Sequence, residues 1–452
     1  MILRTEAWKT WKLSTPIILG ELTQMALGII DNMMVGSISY KHLAAAALVN
    51  SVMNIPFVLG IGITISISQT VSMAHGRKDG LKVSHFLYNG FWLCTFVAII
   101  IALFLNFSRP LLFHLGQDHT VAVLAGPFLQ LMGWSTIPML MFISLKQFTD
   151  GLERTRTAML LSVCALPVNI FLNWLLIYGN WGFPRLELTG AGIGTLITRV
   201  LILVVFIIVL QKHSFFKKYI AVRRRQWILK TQTIKELLHI GIPSSLQVGL
   251  ESGAFAVSAI IIGTLGAVQL ASHQIAISCA SVTFMVSWGL AQGGSIRVSN
   301  AWGRNSWKDI GNIGKSTIIS GLAYGIFCGI CFICFRNIIP RAFNGNSGVL
   351  ALSAILMLYA AIFQISDATQ AIGAGLLRGI KDVRVPTWYI AAAYWLIGIP
   401  LGCIMAFTFK MGAVGMWIGF VGGLTFSSLF LNRRFFKMLG KKIAPKTLFP
   451  VK

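Results

Sequence analysis

Long apolar runs alternate with short polar breaks along this chain, and each run holds only a few polar positions. Twelve runs fall near 14–36, 46–72, 87–107, 123–144, 157–180, 188–211, 237–263, 272–299, 315–336, 348–377, 386–407 and 411–432. A helix of about 20 such residues crosses the roughly 30 Å of hydrocarbon in a bilayer. Lipid offers backbone groups no hydrogen bonds, so only helices and closed barrels can span it, and these runs lack the alternation of barrel strands. The pattern predicts an all-α polytopic membrane protein with twelve transmembrane helices.

The pattern also repeats. At an offset of 227, Pro16 meets Pro243, Gly36 meets Gly263, Leu43 meets Leu270, and Ala44 meets Ala271. At the same offset Gly62 meets Gly289, Ser68 meets Ser295, Ser72 meets Ser299, and Gly76-Arg77 meets Gly303-Arg304. Each half then carries six spans starting from the same side, as in parallel repeats related by an axis along the membrane normal. The expected organisation is an N-terminal lobe over 1–213, a cytoplasmic linker over 214–236 and a C-terminal lobe over 237–452. Two pseudo-symmetric lobes of this kind would enclose a central cleft.

Charge sets the orientation. The net charge is +25, yet only 11% of residues are charged, 56% are hydrophobic and the mean hydropathy is +0.75. With both termini in the cytoplasm, 30 of the 38 lysines and arginines fall on the cytoplasmic side. That is the positive-inside pattern. The basic run KKYIAVRRRQWILK (217–230) therefore reads as a topology signal rather than a nucleic-acid site. Residues 1–12 enter a full-length apolar run without a small-residue cleavage site, so no cleavable signal is expected. Cys328, Cys331 and Cys334 have metal-like spacing but sit in IFCGICFICF as packing residues. No Walker loop is present, which argues against ATP as direct fuel.

Of the 13 acidic residues, nine fall in tails or loops by these boundaries; Glu21, Asp31, Glu251 and Asp367 do not. An ionised carboxylate at mid-membrane costs about 3 kcal/mol on the insertion scale, so each needs a partner, a proton or a cation. No lysine is expected in a span, and Arg199 and Arg297 read as lying near span ends. Asn169 and Asn173 in the fifth span, and Gln247 and Glu251 in the seventh, are spaced four apart and share a helix face. Gln364, Asp367 and Gln370 recur every three residues on the tenth, beside Ser366 and Thr369, as a water-filled cavity would require. Carboxylate, amide and hydroxyl oxygens of this kind suit hard cations. Glu21 and Asp31 are about 15 Å apart along the helix and roughly 80° around it, so they need not share a site. Gln24 matches Glu251 at the repeat offset. Glu21, Gln24, Gln274 and Phe363 are secondary candidates. No catalytic residue is assigned, because His273 has no partner recognisable from sequence.

The stretches DNMMVG (31–36), VNIFLNWLLIYG (168–179), ASHQIAISCASVTFMVSWGLAQGGSIRVSNAWGR (271–304) and DATQAIGAGLLRGIKDVRVP (367–386) resemble the multidrug and toxic compound extrusion family in its NorM-like bacterial branch. The resemblance spans essentially the whole chain. It implies a secondary antiporter, not an enzyme, that exports lipophilic and often cationic drugs for Na⁺ or H⁺ by alternating access. No cofactor is expected. A monomer in the bacterial inner membrane is implied, with lipid around it and no nucleic-acid partner. The resemblance places Asp31, Asn169, Asn173 and Thr195 in an N-lobe cation site, with Na⁺ as the metal. It places Glu251 and Asp367 as the C-lobe acidic pair, where Gln247 and Gln364 are neighbours. Phe363 departs from the tyrosine expected near that pair, which weakens a C-lobe metal site. A flippase for a lipid-linked oligosaccharide, from the same broad superfamily, is the alternative; it would favour a cationic cavity, whereas the buried charge here reads as mainly acidic.

Overall fold

The computed structural model describes residues 2–114, 118–220 and 227–443. The arginines at 223–225 of the basic run lie outside the described residues. Among the described residues the chain is helical and has no strand, and twelve helices are long and apolar enough to cross a membrane. They are α1 (Ile2–Gly36), α2 (Tyr40–Gly76), α3 (Gly80–Phe107), α4 (His119–Gly151), α5 (Thr155–Tyr178) and α6 (Glu187–Lys212). After the short α7 (Ser214–Ile220) follow α8 (Thr231–Thr264), α9 (Ala267–Gly303), α10 (Trp307–Phe335), α11 (Ser347–Gly379) and α12 (Arg384–Thr408). The last is α13 (Ala413–Ile443).

Several helices outrun their apolar stretches, and this corrects the charge inventory. Helix α4 continues past residue 144 to Gly151, so Lys146 and Asp150 are helical and buried rather than in a loop. Arg378 is likewise buried near the end of α11, and Arg199 sits mid-way along α6 rather than near its end. A hydropathy window ends at the first charges, whereas a helix continues while its backbone bonds and packing persist. Arg297 is held by the N-terminal turns of α1: its Nη1 donates to Glu6 O at 2.7 Å and Thr10 Oγ1 at 2.6 Å, and its Nη2 pairs with the Glu6 carboxylate.

The described residues pack as two compact units, one from Leu19 to Gly249 and the other from Leu250 onward together with the residues up to Ile18. These are called the N-unit and C-unit below. Each takes in a helical stretch from the opposite chain half, and glycine makes the contact possible in both. In the N-unit, Gly62 on α2 lies against the backbone of Ser245 on α8 so closely that a Cβ would overlap it. In the C-unit, Gly289 on α9 lies against Ile18 on α1, its own Cβ position blocked at 3.1 Å by the Ile18 nitrogen. These contacts correspond at the repeat offset of 227, since Gly62 maps to Gly289 and Ile18 to Ser245.

The C-unit core centres on Leu356, Met357, Ile372, Trp417, Phe420 and Phe435. The N-unit core has two parts, one around Leu105, Leu129 and Leu140 and one around Phe142, Phe148 and Phe206. Lipid supplies no hydrophobic drive between spans, so close backbone approach and interhelical hydrogen bonds carry much of the packing. Helix α12 is widened into π turns at Ala392–Gly398 and Ile404–Thr408. Such turns frequently occur at functional sites. Here the first of them carries Tyr394.

Candidate functional site

Polar side chains cluster among the apolar helices of each unit. In the N-unit, Asn169 and Asn173 stand one turn apart on α5 and are both buried. Asn173 Nδ2 donates to Asp31 Oδ1 of α1 at 2.7 Å and to Asn169 Oδ1 at 3.1 Å. Its own Oδ1, and Asn169 Nδ2, are buried without a hydrogen-bond partner. Gly194 on α6 makes room for this amide: a Cβ there would stand 2.5 Å from Asn173 Oδ1. Asn169 and Thr195 then share the wall of a small pocket with Gln24, Ser162, Thr198 and Arg199. The structure thus brings together Asp31, Asn169, Asn173 and Thr195, and adds Gln24.

Arg199 changes the electrostatics of this cluster. Its guanidinium lies within electrostatic range of Asp31 and donates from Nη1 to Ser135 Oγ at 2.6 Å. Asp31 is half-buried and accepts the Asn173 bond, and no ion pair reaches it among the described residues. One carboxylate, an unpartnered amide oxygen and a nearby hydroxyl are donors that fit a hard monovalent cation, or a proton on the carboxylate.

Glu21 is not part of that cluster. Lys146 Nζ of α4 pairs with Glu21 Oε1 at 2.6 Å, with the lysine side chain only 9% exposed. Asp150, one turn on from Lys146, is within electrostatic range of both, and its Oδ1 is buried without a partner. The expectation that no lysine accompanies the intramembrane acids is therefore overturned. The four-residue spacing of Lys146 and Asp150 was a signal in the sequence, but the apolar run ended two residues too early for it to count.

In the C-unit, the Tyr394 hydroxyl donates to Glu251 Oε1 at 2.9 Å and accepts from Gln370 Nε2 at 3.4 Å. Trp395 Nε1 donates to Leu250 O at 3.1 Å, which fixes the widened α12 against α8. Asp367 is buried within electrostatic range of Glu251. Arg378 is also within electrostatic range of Glu251; it is buried over the Trp288 ring at 5.4 Å, with Nε and Nη1 unpartnered. Gln364 is buried with an unpartnered Nε2, one turn before Asp367.

Other expected members behave differently. Gln247 is buried in the stretch of α8 that belongs to the N-unit. Ser366 and Thr369 do not line an open polar face, because their hydroxyls bond to Thr425 Oγ1 at 2.8 Å and Ser428 Oγ at 2.7 Å on α13. Gln274 is exposed. Phe363 packs edge-on against Trp417 and Phe255, while Glu251 takes its hydroxyl partner from Tyr394. Indole Nε1 of Trp417 donates to His273 Nδ1 at 3.2 Å, which supplies the structural partner that sequence did not reveal. Tyr394, Arg199, Arg378 and Lys146 are the residues that sequence reasoning missed.

The sequence profile of the MatE family matches residues 16–175 and again 243–404. The chain belongs to the MatE family. The two MatE matches begin 227 residues apart, which is the repeat offset seen within the chain. The family is one of membrane transporters rather than enzymes. Among curated relatives, the chain is 32% identical over 435 residues to a probable multidrug resistance protein NorM of Rhizobium meliloti (strain 1021), covering 94% of this chain and 92% of that one. It is 32% identical over 448 residues to the NorM of Bradyrhizobium diazoefficiens, covering 98% and 95%. Among solved structures, the eukaryotic MATE transporter AtDTX14 superposes with a TM-score of 0.88 at 23% identity, covering 98% of this chain and 99% of that one. An outward-facing multidrug resistance MATE family transporter of the MOP superfamily gives a TM-score of 0.89 at 17% identity, covering 98% of each chain. At those identities the structures establish the MATE fold, and the sequence matches establish the family.

Proposed function

We propose that this MatE transporter is a secondary antiporter that exports lipophilic, often cationic organic compounds in exchange for Na⁺ or H⁺. The observation that carries this reading is the bonded series Asp31–Asn173–Asn169, which reaches the pocket shared by Thr195 and Gln24. Asn173 gives its donor to the carboxylate and keeps an unpartnered oxygen. In this reading a small cation is held by the oxygens of Asp31, Asn169, Asn173 and Thr195, while a proton neutralises Asp31 instead. Both therefore compete for one carboxylate. The names of the NorM relatives support a drug-like cargo.

Coupling needs the ion and the cargo to favour opposite-facing states, because a ligand shifts an equilibrium only by its differential affinity. Glu251, Asp367 and Tyr394 form the C-unit counterpart and act on cation or cargo there. Aromatic faces attract a cationic cargo by about 0.5–2 kcal/mol, and a carboxylate in low dielectric adds to that. The charge asymmetry orients both termini toward the cytoplasm of a bacterial inner membrane.

Proteoliposomes with imposed Na⁺ or H⁺ gradients test the reading. Gradient-driven efflux of a lipophilic cation is expected from the wild type and is lost in Asp31→Asn, while Asp31→Asn remains folded. Efflux unchanged in Asp31→Asn overturns the proposed coupling site. Cysteines replacing Lys217 and Asn344, both exposed, test the orientation. Impermeant reagents should reach the first only from the cytoplasm and the second only from outside.

A further inference from the structure

A second cavity in the N-unit shares no lining residue with the carboxylate clusters and has a different chemistry. It is an open slot between α3 and α6, about 640 Å³ when the solvent-facing space is counted, lined by apolar side chains such as Leu87, Phe91, Leu145 and Ile207. At its rim Tyr88 stacks on Trp227 with ring centroids 4.8 Å apart, and Trp92 and Trp227 are exposed. The rim is tied down: Tyr88 Oη donates to Ile220 O at 2.9 Å, and the Lys230 backbone nitrogen donates to Asn89 Oδ1 at 2.7 Å. An open apolar slot on a spanning helix pair, ringed by tryptophan and tyrosine, is the surface met at the boundary between acyl chains and headgroups.

Basic residues flank the lining residues along the chain. Lys212 follows the pocket residue Gln211, and Lys217 lies one helical turn before the pocket residue Ile220 on α7. Lys230 Nζ reaches His85 Nε2 at 3.0 Å, on the turn of α3 that precedes Asn89. Arg154 and Lys218 both stand over the Phe215 ring, at 4.5 and 4.4 Å. Lys212, Lys217 and Lys230 are exposed. Basic pockets between spanning helices recognise anionic lipid headgroups, and each nearby cationic side chain strengthens that attraction.

We infer that this cavity is a binding site for an anionic glycerophospholipid, with an acyl chain in the slot between α3 and α6 and the phosphate facing Lys212, Lys217 and Lys230. Charge complementarity selects this occupant. An apolar slot alone would accept any acyl chain, whereas the cationic rim favours a headgroup with net negative charge over a zwitterionic one. The site is independent of the transport reading, since none of its residues belongs to the carboxylate clusters.

The full-length protein, purified in detergent, is titrated with mixed micelles of phosphatidylglycerol or phosphatidylcholine. Lipid retention is read by native mass spectrometry and stabilisation by thermal melting. The wild type should retain phosphatidylglycerol preferentially and melt higher with it. Replacing Lys212, Lys217 and Lys230 by glutamine should cost about fivefold in retention per lysine and leave phosphatidylcholine retention unchanged. Gln211→Trp, an exposed substitution at the slot, should reduce retention of both lipids without lowering the lipid-free melting temperature. Equal retention of the two lipids by the wild type overturns the proposal, as does undiminished phosphatidylglycerol retention in the triple variant. Should the triple variant fail to fold, undiminished retention in Gln211→Trp overturns it instead.

Discussion

The hydroxyl of Tyr394 donates to Glu251 Oε1 across 2.9 Å, from a π turn that widens α12. Phe363 on α11 has no hydroxyl to offer, and the C-unit acid takes its hydroxyl partner from α12 instead. Tyr394→Phe removes it at nearly constant volume. A hydrogen bond to a charged group contributes about 1.5–3 kcal/mol, so gradient-driven export should fall by about tenfold to a hundredfold. Membrane expression should stay normal. Proteoliposome transport and detergent melting check both halves of this expectation.

In the N-unit, Gly194 leaves the space that Asn173 occupies. Gly194→Ala should push the Asn173 amide away from Asp31 without replacing any proposed ligand. Crowding of a packed site costs about 1–3 kcal/mol, and the loss should fall on ion dependence. The expected result is a higher Na⁺ or H⁺ concentration for half-maximal export, read from transport titrations. An unchanged ion dependence would show that the Asn173–Asp31 bond does not set affinity.

Lys146 lies between Glu21 and Asp150, so its loss is more damaging than the loss of Glu21. Lys146→Met would leave two carboxylates without their cation, and breaking a buried pair this way costs about 3–5 kcal/mol. Glu21→Gln leaves Lys146 with Asp150 and should cost less. Apparent melting temperatures of the two variants should fall in that order. Glu21→Gln should also affect coupled export less than Asp31→Asn.

Gly62 and Gly289 make the same contact in the two units. A methyl group at Gly62 meets the Ser245 backbone, and one at Gly289 meets the Ile18 side chain at 2.5 Å with the Ile18 backbone just behind it. Gly62→Ala and Gly289→Ala should each destabilise the protein by about 1–3 kcal/mol. Similar drops in melting temperature for the two variants would confirm that the repeat preserves this contact, and wild-type stability in either would refute it.

Much of the site was legible because helical spacing survives in sequence. Asn169 and Asn173, four apart, do share a face and do bond to one another, and Asp31 joins them as the family resemblance implied. Spacing said less about Ser366 and Thr369, whose hydroxyls bond α13 instead of facing water. A helix face names a direction only after the neighbouring helix is known. Lys146 and Arg378 were misassigned for a related reason, since an apolar window stops at a charge even where the helix carries that charge inward.

The order of apolar runs, the repeat at 227 and the motifs were sufficient to determine twelve spans, a duplicated chain and the MatE family. These are properties of positions along a line: hydrocarbon thickness sets the run length, and duplication leaves a constant offset. The tertiary structure alone decided that Lys146 meets Glu21, that Tyr394 meets Glu251, and that α1 and α8 each divide between the two units. Lys146 and Glu21 are 125 residues apart, and Tyr394 and Glu251 are 143 apart. Such pairings depend on which helices become neighbours and how each is rotated, and glycine contacts and side-chain hydrogen bonds settle that only once the chain has packed.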